Sequence, residues 1–138
     1  WGVMKNLTKD FRRITGMIKL SAKEEEFFND VIYDTLQLND YDLQCFVACE
    51  ELAELIQAIS KTQRLGSPDA ENFFVDYCKF IEERLTGEIA DVYIILEELQ
   101  CMLDIKNEDI QAFIEMKLNR QQVRNEQFKK RTLWYGRA

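Results

Sequence analysis

Cys49-Glu50-Glu51-Leu52-Ala53-Glu54-Leu55-Ile56-Gln57-Ala58-Ile59-Ser60-Lys61 is a run of strong helix formers in which three acids stand among apolar residues, with no base before Lys61. On a wheel at about 100° per residue, Ala48, Leu52, Leu55, Ile56 and Ile59 share a stripe with Cys45 and Cys49. Glu50, Glu51 and Glu54 fall on the opposite side, flanked by Leu43, Phe46, Val47 and Ala58. A solvated helix face usually mixes both signs of charge; this one holds acids among hydrophobes. The helix is expected from about residue 42 to residue 61.

Gly87-Glu88-Ile89-Ala90-Asp91-Val92-Tyr93-Ile94-Ile95-Leu96-Glu97 repeats the anomaly. Ile89, Val92, Ile95, Leu96 and Leu99 define an apolar stripe, with Glu88 inside it and Asp91 at its margin. Glu97 and Glu98 fall on the far side and are expected to be ordinary solvent-facing acids. Glu51/Glu54 and Glu88/Asp91 are both i, i+3 pairs, so each helix presents two carboxylates side by side. An unpaired carboxylate in a core costs several kcal/mol. Either these acids line a wet edge of the bundle, or a hard divalent cation such as Mg²⁺ gathers them. Iron suits them less, because ferritin-like bundles use Glu-x-x-His and the chain has no histidine.

Outward from these two helices, the rest of the chain also reads as helix. Ser21-x-x-Glu24 is a capping box, followed by Phe27, Phe28, Val31, Ile32 and Leu36 at helical spacing, with an end expected near residues 36–39. Arg64-Leu65-Gly66-Ser67-Pro68 is the clearest break, with Ser67 as N-cap and Pro68 at the first helical position. A third segment, about 69–103, is expected to bend or restart at Thr86-Gly87. A last helix starts near Asn107, with Glu108 and Asp109 at its positive end, and runs to about residue 130. The expected fold is all-α, a bundle of four main helices in one domain over 1–138. Residues 1–20 form a loose N-terminal segment, 66–85 an insertion and 131–138 a tail.

The chain has 138 residues, 25 acids against 18 bases, one proline and five glycines. So few turn formers favour a few long elements, and a net charge of −7 repels phosphate backbones and anionic lipid. Neither nucleic acid nor membrane is expected as a partner. With no CxxC pair and no histidine, zinc is unsuited. Cys45, Cys49, Cys78 and Cys101 all lie in helical stretches and read as small buried hydrophobes of a reducing cytoplasm. The basic and acidic residues near the N-terminus interrupt any signal-peptide core, which fits a cytoplasmic location.

The two quoted motifs together resemble the MazG-like, all-α nucleotide pyrophosphohydrolases, whose signature is EExxE followed by ExxD. The wording is closest to phage-type members, and the likeness covers roughly residues 42–125. It implies a Mg²⁺-dependent hydrolase, with Mn²⁺ as substitute metal, that converts a nucleoside triphosphate to the monophosphate and pyrophosphate. Carried onto this chain, Glu51, Glu54, Glu88 and Asp91 are metal ligands. Glu50 is a further ligand or the group that orients and deprotonates the attacking water. Lys61 and the basic face Lys117, Arg120 and Arg124 are phosphate contacts. A homodimer or dimer of dimers is implied as well.

Gly87 stands where many members carry another acid, and the stretch between Glu54 and Glu88 is longer than usual. Trp134 and Tyr135 are aromatic enough to stack on a base, although tail aromatics more often pack on a neighbour. Two other readings stay open: a non-catalytic helical interaction module of the same fold, and a phosphoribosyl-ATP pyrophosphohydrolase.

Overall fold

A computed structural model describes residues 20–64 and 79–135, and within them every regular element is helical. In chain order these are α1 (Ala22–Leu38), α2 (Tyr41–Arg64), a π-helical turn (Ile81–Leu85), α3 (Thr86–Met102) and α4 (Asn107–Tyr135). The expected Ser67–Pro68 start, Cys78, most of the 66–85 segment and residues 1–19 lie outside the described residues. Up to Asp104 the chain forms one compact unit, and from Ile105 a second.

The capping box forms as its residue types require. Ser21 Oγ accepts from the Glu24 N–H at 3.3 Å, and Glu24 Oε2 accepts from the Ser21 N–H at 2.8 Å. Asn39 ends α1, its N–H bonding the Thr35 carbonyl, and Asp40 Oδ1 accepts from the Leu43 N–H to open α2. A two-residue link joins α1 to α2, and both helices pack against α3. Ile32 and Leu36 of α1 then pack on Cys101 of α3, with Phe28, Tyr33 and Met102 around them.

α3 lies against both α1 and α2, and the main packing of this unit is the α2–α3 seam. Positions rise along α2 as they fall along α3: Gln44 meets Glu98, Glu54 meets Glu88, and Lys61 meets Phe80. The two helices are therefore antiparallel.

Three expectations need correction. On α2, the side turned inward is Gln44, Ala48, Glu51, Leu55, Ala58 and Thr62, while Leu52, Ile56 and Ile59 of the expected stripe are exposed. A wheel finds the apolar centre of a helix but not which of its edges a neighbour covers. On α3, Glu97 and Glu98 are buried, at 2% and 5% exposure, whereas Ile89 is exposed. With α1 and α2 both covering α3, little of its C-terminal half is left to solvent. Of the cysteines, Cys101 is buried and Cys45 half-buried, but Cys49 is exposed, because it follows the uncovered face of α2. The expected restart at Thr86-Gly87 is where α3 begins, and Gly87 itself causes no break. The irregularity lies just before it, where Thr86 Oγ1 donates to the Ile81 carbonyl at 2.6 Å and the Thr86 N–H bonds the same oxygen. A wide turn of this kind adds a residue to the helix, so Phe80 and Leu85, five apart, both turn inward.

In the second unit α4 continues past the expected end at 130 to Tyr135, and its side chains from Gln111 to Trp134 are exposed. Asp104, at the end of the first unit, has φ 52°, a left-handed conformation that a short polar side chain tolerates.

Candidate metal centre

α2 and α3 bring three of the expected ligands together. Carboxylate oxygens of Glu51, Glu54 and Glu88 all lie within 4.8 Å of one another. The antiparallel seam does this because Glu51 and Glu54 are one turn apart on α2 and Glu88 comes across from the first turn of α3. Glu88 is largely enclosed and Glu51 half-buried, while Glu54 stands at the solvent edge.

Negative charge is concentrated here, with Arg84 as the one cation paired to it among the described residues. Burial raises the Glu51 carboxyl above its ordinary 4.5, and the neighbouring charges of Asp91, Glu54, Glu50 and Glu88 raise it further, in that order. Asp91 is thus the strongest charged neighbour of Glu51, although it is not within the close three-residue group. Both Asp91 and Glu50 are exposed at its margin.

Glu88 is bound on one side only. Its Oε1 lies 3.8 Å from Arg84 Nε, one helical turn earlier. Its Oε2 is buried, and among the described residues nothing donates to it. A buried carboxylate oxygen without a donor beside two further carboxylates is a donor set that suits a hard divalent cation. Glu51, Glu54 and Glu88 therefore fit Mg²⁺ chemically, with Asp91 within electrostatic reach.

The expected phosphate contacts fall in different places. Lys61 is on the last turn of α2, its Nζ 5.1 Å from the centroid of the buried Phe80 ring. Lys117, Arg120 and Arg124 are exposed on α4, in the second unit. Trp134 is 82% exposed. A Cβ at Gly87 would meet no atom within 4 Å, so packing does not demand glycine there.

Sequence reasoning missed the polar group at the other end of the seam. Gln44, 1% exposed, donates through Nε2 to Glu98 Oε2 and accepts through Oε1 from Asn39 Nδ2 at 2.9 Å. Burial raises the Glu98 carboxyl; the Gln44 bond opposes that, and the charge of Glu51 adds to it. Gln44 and Glu51 are seven apart, as are Asp91 and Glu98. That heptad spacing was the available signal that Gln44 and Glu51 share one face of their helix, as Asp91 and Glu98 do of theirs.

Comparison with known proteins finds no matching family model, no similar curated protein and no similar solved structure. No helix among the described residues is long and apolar enough to cross a membrane.

Proposed function

We propose that the protein is a Mg²⁺-dependent nucleotide pyrophosphohydrolase of the MazG-like kind, cleaving a nucleoside triphosphate to the monophosphate and pyrophosphate. The observation that carries this reading is the three-carboxylate group of Glu51, Glu54 and Glu88 with the buried, donor-free Glu88 Oε2. Bound Mg²⁺, or Mn²⁺ in its place, neutralises phosphate charge and makes water more acidic. Glu51, Glu54 and Glu88 hold the cation, and Asp91 completes the set from the next turn of α3. Glu50, exposed next to Glu51, orients the attacking water or takes its proton. Lys61, Lys117, Arg120 and Arg124 keep the phosphate-contacting role that the resemblance implies.

The test is release of pyrophosphate from a panel of nucleoside triphosphates with Mg²⁺. Glu51→Gln and Asp91→Asn are each expected to remove it; full activity in either variant would end the metal-site assignment. Calorimetric titration with Mg²⁺ or Mn²⁺ discriminates the interaction-module reading, which expects no metal binding. Phosphoribosyl-ATP belongs in the same substrate panel.

The exposed apolar side of α2 supports association into a homodimer or dimer of dimers. Leu52, Ile56 and Ile59, on one stripe of this 24-residue helix, are 38%, 64% and 52% exposed. Light scattering should report more than one copy of the chain, and Ile56→Asp should shift it towards monomer.

A further inference from the structure

The two ends of the α2–α3 seam differ in charge. At one end Glu98 is closed in with Gln44 and Asn39. Towards the other, Arg84 stands beside Glu88, and Lys61, about two turns past Glu54 on α2, lies over the Phe80 ring. Glu51, Glu54 and Glu88, with Asp91 near them, carry more negative charge than one divalent cation removes. A phosphate chain reaching that site still meets net repulsion and needs positive charge on its rim.

Arg84 is placed to supply it. Its side chain is 49% exposed, and its contact with Glu88 is a long 3.8 Å pair between i and i+4. Such a pair contributes little, so little is lost when it breaks. A guanidinium gains more from two parallel bonds to phosphate oxygens than from one long contact with a carboxylate. The π turn supports this placement. It closes through Thr86 and Ile81 just before Glu88, so Phe80 faces Lys61 while Arg84 stays one turn from Glu88. Turns of this type gather at functional sites.

We propose that Arg84 is a phosphate-binding residue, exchanging its contact with Glu88 Oε1 for the phosphate oxygens of a metal-bound polyphosphate. Resting on the metal-site reading above, this directs the phosphate chain of the substrate towards the Lys61–Arg84 end of the seam. Arg84 is then also a partial place-holder, neutralising Glu88 until a cation arrives.

The test is calorimetric and does not depend on turnover. The full chain is titrated first with Mn²⁺, then, loaded with Mn²⁺, with inorganic pyrophosphate. Arg84→Gln is expected to bind Mn²⁺ as tightly as the wild type or more tightly, yet to bind pyrophosphate at least about tenfold more weakly. Arg84→Lys should recover part of that loss. Equal pyrophosphate affinity in wild type and R84Q overturns the assignment, as does a loss fully explained by weaker Mn²⁺ binding. Mn²⁺ binding by the wild type without pyrophosphate binding overturns it too. A wild-type chain that binds no Mn²⁺ overturns the metal-site reading itself, and the proposal with it.

Discussion

Two groups of acids lie along the same pair of helices, and they are treated oppositely. Glu98 is closed off from solvent and receives a hydrogen bond from Gln44, itself held by Asn39. Glu51, Glu54 and Glu88 face one another, and the buried oxygen of Glu88 has no donor among the described residues. One group is satisfied within the fold and locks α2 against α3 in a single register. The other is left unsatisfied, which costs stability unless something outside the chain completes it. Buried polar groups that a fold could have paired, and did not, are where binding is to be sought.

That contrast can be broken from either side. The largest effect should come from completing the unsatisfied group. Mg²⁺ at about 100 times its dissociation constant is expected to stabilise the chain by about 2.7 kcal/mol, read as a rise in melting temperature. Glu88→Gln should abolish that rise while leaving the metal-free protein at least as stable as the wild type. A metal-induced rise that survives in E88Q would show that the cation binds elsewhere.

Breaking the satisfied group comes next. Gln44→Leu leaves the Glu98 carboxyl buried without its donor, a loss of about 1–2 kcal/mol in urea denaturation. Adding Glu98→Leu should recover most of it, since an apolar pair of similar shape replaces the bonded one. A double variant as weak as Gln44→Leu alone would mean that packing, not the polar bond, holds this end.

The pH dependence follows from the direction of the Glu98 shift. Its folded carboxyl titrates above the unfolded value near 4.5, mainly through burial, so the folded state holds the proton more tightly. Stability from this group is fully present below the unfolded value and falls as pH rises from there towards the folded one. Glu51, also raised, acts in the same direction. Melting temperature across that range should therefore decline with pH, and Glu98→Gln should flatten part of the decline. The smallest change is expected at Gly87, inside the first turn of α3 with free space around it. Gly87→Ala should stabilise by about 0.5–1 kcal/mol in thermal melting.

Much of this was legible before any coordinates. The capping box at Ser21 and the start at Asn107 depend on local chemistry, which a sequence displays directly. The pairing of Glu51/Glu54 with Glu88 was legible because two i, i+3 spacings on adjacent helices leave few ways to meet. The Gln44–Glu98 bond was not: an amide and an acid 54 positions apart look like surface residues until two helices enclose them. The π turn before Glu88 was hidden for a similar reason. Nothing in Ile81–Leu85 forbids an ordinary α turn, and the extra residue is needed only to turn both Phe80 and Leu85 inward.

By itself, then, the sequence determined that the described residues are helical, where their helices begin, and that Glu51 and Glu54 are one turn apart on the same helix; spacing and capping are properties of neighbours in the chain. Only the tertiary structure decided which acids are enclosed and which are left open. Burial depends on what a second and third helix cover, and on α3 that placed Glu97 and Glu98 inside while leaving Asp91 at the rim.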